Sequence, residues 1–193
     1  QEVDNKFILS IVVRERPVLL QGSMGANYRG AIQLTNPSAD RNPDAKVHPL
    51  DDLVGRTVGI SRDRLIGSGG FQERIRVVNH ASRAVTIPVS LALGTDGADI
   101  FEVRGYPRPA RGTIRPVAVR GDRVTFGYDG LDGVRRLTHV AFSEVPDDAG
   151  PAAPGTADGG DGFEAGASIR LHWTLRLEPG GSHDLRWTTW GTT

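Results

Sequence analysis

Apolar residues recur at every second position through most of this 193-residue chain. That period belongs to strands, whose side chains point alternately to the two faces of a sheet. The strictest case is Ile169, Leu171, Trp173, Leu175 and Leu177, with Arg170, His172, Thr174 and Arg176 on the opposite face. A Pro179-Gly180-Gly181 turn then leads into a strand over residues 184–189. Upstream, Phe71, Glu73, Ile75 and Val77 alternate with Gln72, Arg74, Arg76 and Val78. After the turn residues 79–83, Val85, Ile87, Val89, Leu91 and Leu93 share a face. Residues 71–93 therefore read as a hairpin. Pro88 cannot donate to a ladder, which predicts an edge strand or a bulge there.

The same logic places strands near residues 7–13, 18–21, 28–36 and 56–66, the first two joined across Arg14-Glu15-Arg16-Pro17. Further strands fall at 115–119 and 123–128, linked by Arg120-Gly121-Asp122, and at 134–145 after the turn Asp129-Gly130-Leu131-Asp132-Gly133. No window of helical length shows a 3.6-residue period, so little helix is expected. Roughly ten short strands spaced by Gly, Pro, Asn and Asp predict an all-β fold, a two-sheet antiparallel β-sandwich. Its length suits one domain over residues 1–193. Residues 37–53 read as a surface excursion. Residues 147–162, DDAGPAAPGTADGGDG, hold almost no apolar bulk and read as a mobile loop.

Composition narrows the chemistry. Lys plus Arg and Asp plus Glu both number 23, so no global field draws the chain to nucleic acid or to an anionic membrane. Cysteine is absent, which removes disulfides, thiolate nucleophiles and Cys-ligated metal, and fits a reducing cytoplasm. No apolar run is long enough for a membrane-spanning helix. The start at Gln1, with no basic and apolar leader behind it, reads as a trimmed chain.

Motif searches return little self-sufficient chemistry. Gly67-Ser68-Gly69-Gly70 lies between two strands with no helix after it, and so reads as a hairpin turn rather than a phosphate cradle. His48, His80, His139, His172 and His183 lack the spacing that aims two imidazoles at one ion, so no metal and no cofactor are expected. No Gly-x-Ser-x-Gly elbow is present, and a Ser/His/Asp triad would need distant residues gathered by the fold. Trp173 and Trp187 share faces with Leu, which favours core packing over base stacking. Trp190, Tyr106 and Tyr28 are candidates for a carbohydrate platform, against a plainer reading of part-burial at a sheet edge. The densest polar cluster lies in 96–109, with Asp99, Glu102, Arg104, Tyr106 and Arg108 in a loop directly after a strand. A glycosidase acid/base pair needs two carboxylates at a set separation, and an ordered crossover in which Arg104 pairs with Asp99 or Glu102 is the plainer account.

That cluster also carries a resemblance. The string ADIFEVRGY at 98–106 follows ERIRVVNHASRAVTIPVSLALGTD and precedes DRVTFGYDGLDGVRR at 122–136. Together, across about residues 18–187, these segments resemble the N-terminal domain of bacterial glycogen debranching enzymes of the amylo-α-1,6-glucosidase class. The resemblance implies a supersandwich-like β-domain ahead of an (α/α) barrel of the same polypeptide, with the glycosidase carboxylates on the barrel. It therefore implies no catalytic residue in this chain. The implied role is an accessory domain that packs on the barrel and helps shape an α-glucan cleft in the cytoplasm. The candidate contacts are Asp99, Glu102, Arg104, Tyr106, Arg108 and Trp190. A free-standing carbohydrate-binding module is the alternative. The 147–162 insertion and a start almost inside the first strand depart from the family pattern.

Overall fold

A computed structural model of the chain describes residues 10–12, 18–26, 28–36, 56–98, 102, 104–106, 109–151 and 167–193. The described residues are nearly all strand, arranged in two antiparallel sheets as a β-sandwich. The strands are β1 (Ser10–Val12), β2 (Val18–Ala26), β3 (Arg29–Thr35), β4 (Val58–Gly67), β5 (Gly70–Asn79), β6 (Val85–Thr95) and β7 (Thr113–Ile114). They continue with β8 (Ala118–Arg120), β9 (Arg123–Asp129), β10 (Arg135–Phe142), β11 (Asp148–Gly150), β12 (Ala167–Leu177) and β13 (Ser182–Thr192). The chain divides into two compact units, and β6, β12 and β13 run through both.

In the unit formed by residues 11–89 and 173–188, one sheet runs β2-β3-β4-β5-β13 and the other β1-β6-β12. Val58, Ile60, Ile75, Val77, Ile87 and Trp173 are buried between them, as the alternation predicts. The β4–β5 connection is the expected hairpin: Gly67 pairs with Gly70 around Ser68-Gly69. The predicted 71–93 hairpin, however, is not one. β5 and β6 lie in different sheets, so residues 79–85 form an arch between sheets. Alternation cannot tell the two apart, because strands on either side of an arch carry the same buried-face pattern as strands of a hairpin.

Asn79 holds the arch. Its side chain is fully buried, its Nδ2 donates to the carbonyls of Arg83, Leu177 and Glu178, and its Oδ1 accepts from Ala81 N–H. Its backbone N–H donates to Gly181 O and its carbonyl accepts from Gly180 N–H. A buried amide stabilises only when its groups are satisfied, and here both side-chain ends are.

Pro88 does not mark an edge strand, since β6 lies between β1 and β12. Among the described residues, β1 is three residues long against eleven in β6, which leaves part of β6 without a ladder partner on that side. The predicted 7–13 and 18–21 strands are likewise separated: β1 enters one sheet and β2 the other.

In the unit formed by residues 1–10, 90–172 and 189–193, β13-β10-β9-β7 make one sheet, with β8 also pairing β9, and β6-β12-β11 the other. Val124, Phe126, Val140, Phe142, Leu171 and Leu93 are buried. The Arg120-Gly121-Asp122 turn joins β8 to β9 as expected, with Arg120 opposite Arg123. Residues 148–150, expected within a mobile loop, pair with β12 instead. The rest of that expected loop beyond residue 151 lies outside the described residues.

Candidate functional site

The 98–111 loop begins and ends against one side chain, Tyr128. Gly97 enters the loop at φ 64°, and a Cβ there would lie 2.9 Å from the Tyr128 ring. At the other foot the Tyr128 hydroxyl accepts the Gly112 N–H at 2.8 Å, and a Cβ on Gly112 would collide with the Asp129 carbonyl. Tyr128 is itself buried in β9 and pairs with Ile114 of β7. Thr95 Oγ1 accepts from Gly97 N–H, and Asp96 Oδ1 from Ala98 N–H, which fixes the entry further.

Within the loop, Glu102 forms an ion pair with Arg111, and its carboxylate side chain is 7% exposed. The partner of Glu102 is thus Arg111 rather than Arg104, and the other expected pairing, Arg104 with Asp99, lies outside the described residues. Gly105 N–H donates to Glu102 O at 2.9 Å, and Gly105 at φ 87° turns the chain so that Arg104 and Tyr106 are exposed. Arg104 forms no ion pair among the described residues. Asp99 and Arg108 lie outside the described residues.

The turn after Tyr128 is built from ion pairs. Asp129 accepts from Arg115 and Arg135, and Asp132 from Arg136 and from Val134 N–H. The hydrogen bonds from Arg135 and then Arg115 hold the Asp129 carboxyl below its ordinary range, and Arg136 and the Val134 amide do the same for Asp132. A Cβ on Gly130 would displace the paired ends of the Asp132 and Arg136 side chains. The Tyr-x-Gly-Leu-Asp-Gly string is therefore the structural base of the 98–111 loop.

Trp190 lies apart from that loop, on β13, which is flanked by β5 and β10 and is not an edge. It is part-buried beside His139 and Arg123. Tyr28, 59% exposed, falls in the other unit. Trp173 and Trp187 are buried as expected.

The fold does gather one serine and histidine. Ser90 Oγ stands 3.0 Å from His172 Nδ1, and Asp148 is opposite His172 in register. Among the described residues His172 gains no carboxylate hydrogen bond, so the arrangement stops at a dyad without the orienting acid a triad needs. No group of three His, Asp or Glu side chains among the described residues is placed to hold a metal ion, and no described helix is long and apolar enough to cross a membrane.

Sequence reading also missed a buried ion-pair cluster. Glu73, on the buried face of β5, pairs with Arg62 and Arg64 of β4. Arginine at position 62, between Ile60 and Arg64 on one face of a strand, was the available signal.

With this geometry in view, the sequence matches the N-terminal domain of (some) glycogen debranching enzymes over residues 8–188. The chain belongs to this family. The glycogen debranching N-terminal domain described here matches no curated protein in sequence. Its fold recurs in a putative kojibiose phosphorylase from the human microbiome, at 11% identity and a TM-score of 0.51 over 95% of this chain and 21% of that one. It recurs also in the Slr1438 protein of Synechocystis sp. PCC 6803, at 10% identity and a TM-score of 0.53 over 93% of this chain and 66% of that one. The debranching N-terminal domain thus spans about a fifth of the phosphorylase. At such identities the likeness is one of fold.

Proposed function

We propose that this debranching N-terminal domain is a non-catalytic accessory domain of a bacterial, cytoplasmic glycoside hydrolase. In this reading it packs on a separate (α/α) barrel of the same polypeptide and helps shape an α-glucan cleft. The observation that carries the proposal is the family match over residues 8–188. The 98–111 loop is the proposed contact. Rigid feet at Gly97 and Gly112 reduce the ordering cost of binding, and an exposed Arg and Tyr are the residue types that anchor interfaces. Glu102, held by Arg111, shapes the loop. Asp99 and Arg108 extend the same proposed contact.

The test is to assay hydrolysis of an α-1,6-branched glucan by this chain alone and by the full-length parent. No turnover is expected from the chain alone. In the parent, Arg104→Glu with Tyr106→Ala should weaken contact with the barrel, read as raised proteolytic release of the N-terminal domain. Turnover by the isolated chain that is abolished in Glu102→Gln would sink the reading.

A further inference from the structure

We propose that the outward face formed by Trp190, His139 and Arg123 binds a neutral oligosaccharide, with an α-linked glucan as the sugar. The choice of glucan alone rests on the family reading; the site rests on the geometry of three neighbouring strands.

Trp190, His139 and Arg123 stand on β13, β10 and β9, which are adjacent in one sheet. They cross two strand spacings, about 10 Å, which is room for two linked hexoses. Trp190 faces outward because Leu185, Trp187 and Thr189 take the buried face of β13. His139 faces outward because Thr138 and Val140 take the buried face of β10. The indole and imidazole centroids are 5.3 Å apart at 33°, and the Arg123 guanidinium carbon is 5.3 Å from the indole centroid.

Threonine hydroxyls complete the face. Thr125 Oγ1 is 3.1 Å from His139 Nδ1, and Thr192 Oγ1 is 3.1 Å from His139 Nε2. A neutral imidazole donates through one nitrogen and accepts through the other, so one threonine receives a proton bond and the other gives one. The receiving hydroxyl keeps its own O–H to offer, and the giving hydroxyl keeps its lone pairs. Hydroxyl donors and acceptors and guanidinium N–H groups thus lie beside an aromatic surface. A pyranose complements this set, with C–H bonds for the indole and hydroxyls around its rim.

An anion suits the face less well. Burial first, and the Arg123 charge second, push the His139 pKa down, so this imidazole is held neutral and adds no positive charge. Arg123 itself, with Arg120 opposite it in register, is what would attract phosphate, and the test includes that ligand.

The full chain is titrated with maltoheptaose and followed by calorimetry and by the indole N–H signals of its three tryptophans in 1H–15N spectra. The Trp190 signal, assigned with Trp190→Phe, should shift and saturate while the two core indoles stay in place. Trp190→Ala should weaken binding about tenfold or more, or ~1.4 kcal/mol. Thr192→Val, on an exposed position, should weaken it several-fold at unchanged thermal midpoint. An unmoved Trp190 signal overturns the proposal, and so does equal affinity in Trp190→Ala. So does displacement of the sugar by equimolar inorganic phosphate. Each of these failures leaves the 98–111 docking loop standing, since Arg104 and Tyr106 take no part in this face.

Discussion

Glu73 occupies a position where its strand would ordinarily carry a valine. Its side chain is fully buried and bonded to Arg62, itself 7% exposed, with Arg64 as a second partner. Burial is the largest influence on the Arg62 pKa and, with the neighbouring Arg64 charge, lowers it despite the hydrogen bond and attraction to Glu73. Removing one partner leaves the other charge buried without compensation. Glu73→Gln should therefore cost ~3–5 kcal/mol in denaturant unfolding, whereas Arg62→Met with Glu73→Leu should recover most of that loss. A Glu73→Gln variant within about 0.5 kcal/mol of the native protein would show that the pair is incidental. Alternation placed Glu73 on the face of Ile75 and Val77, but its partner is eleven residues away on another strand. A side chain's position on a face is a local property. Its counter-charge is set by the register of β4 against β5.

At the scale of elements, the 98–111 loop and the turn at 129–133 act as one assembly. Tyr128 packs on Gly97 at one foot and bonds Gly112 at the other, and the Asp129 and Asp132 ion pairs brace the turn beneath it. Tyr128→Phe keeps the ring and deletes the acceptor, leaving the Gly112 N–H unpaired at a cost of ~1–3 kcal/mol. Hydrogen exchange should then quicken at residues 97–112 while β12 and β13 keep their protection. Gly112→Ala should do the same through its collision with the Asp129 carbonyl, and unchanged exchange in both variants would break the link between motif and loop. In sequence these were two separate strings, 98–106 and 128–133. Only the pairing of β7 with β9 brings them together.

At the scale of the whole molecule, the even count of 23 basic and 23 acidic residues hides local pairing that makes stability depend on pH. The folded pKa values of Asp129 and Asp132 lie below the ordinary aspartate value of 3.8, so their contribution is present above that pH and is lost as pH falls through the lower folded values. His139 works in the same direction at higher pH. Its folded pKa lies below 6.5, so the unfolded chain takes up the proton more readily, and stability declines as pH drops below 6.5. Thermal unfolding should show two declines on acidification, and His139→Gln should remove the upper one; an unaltered upper decline would assign it to another group. The sequence alone determined the all-β class, the strands and their buried faces, because a period of two is written residue by residue. It also determined the family, because linear strings carry it. Which strands pair, and whether Asn79 turns a hairpin or an arch, was decided only by the tertiary structure. The same holds for the meeting of Arg62 with Glu73, of Tyr128 with Gly112, and of Trp190 with His139 and Arg123. These contacts join residues distant in the chain, and their energies depend on register and burial, which no local pattern encodes.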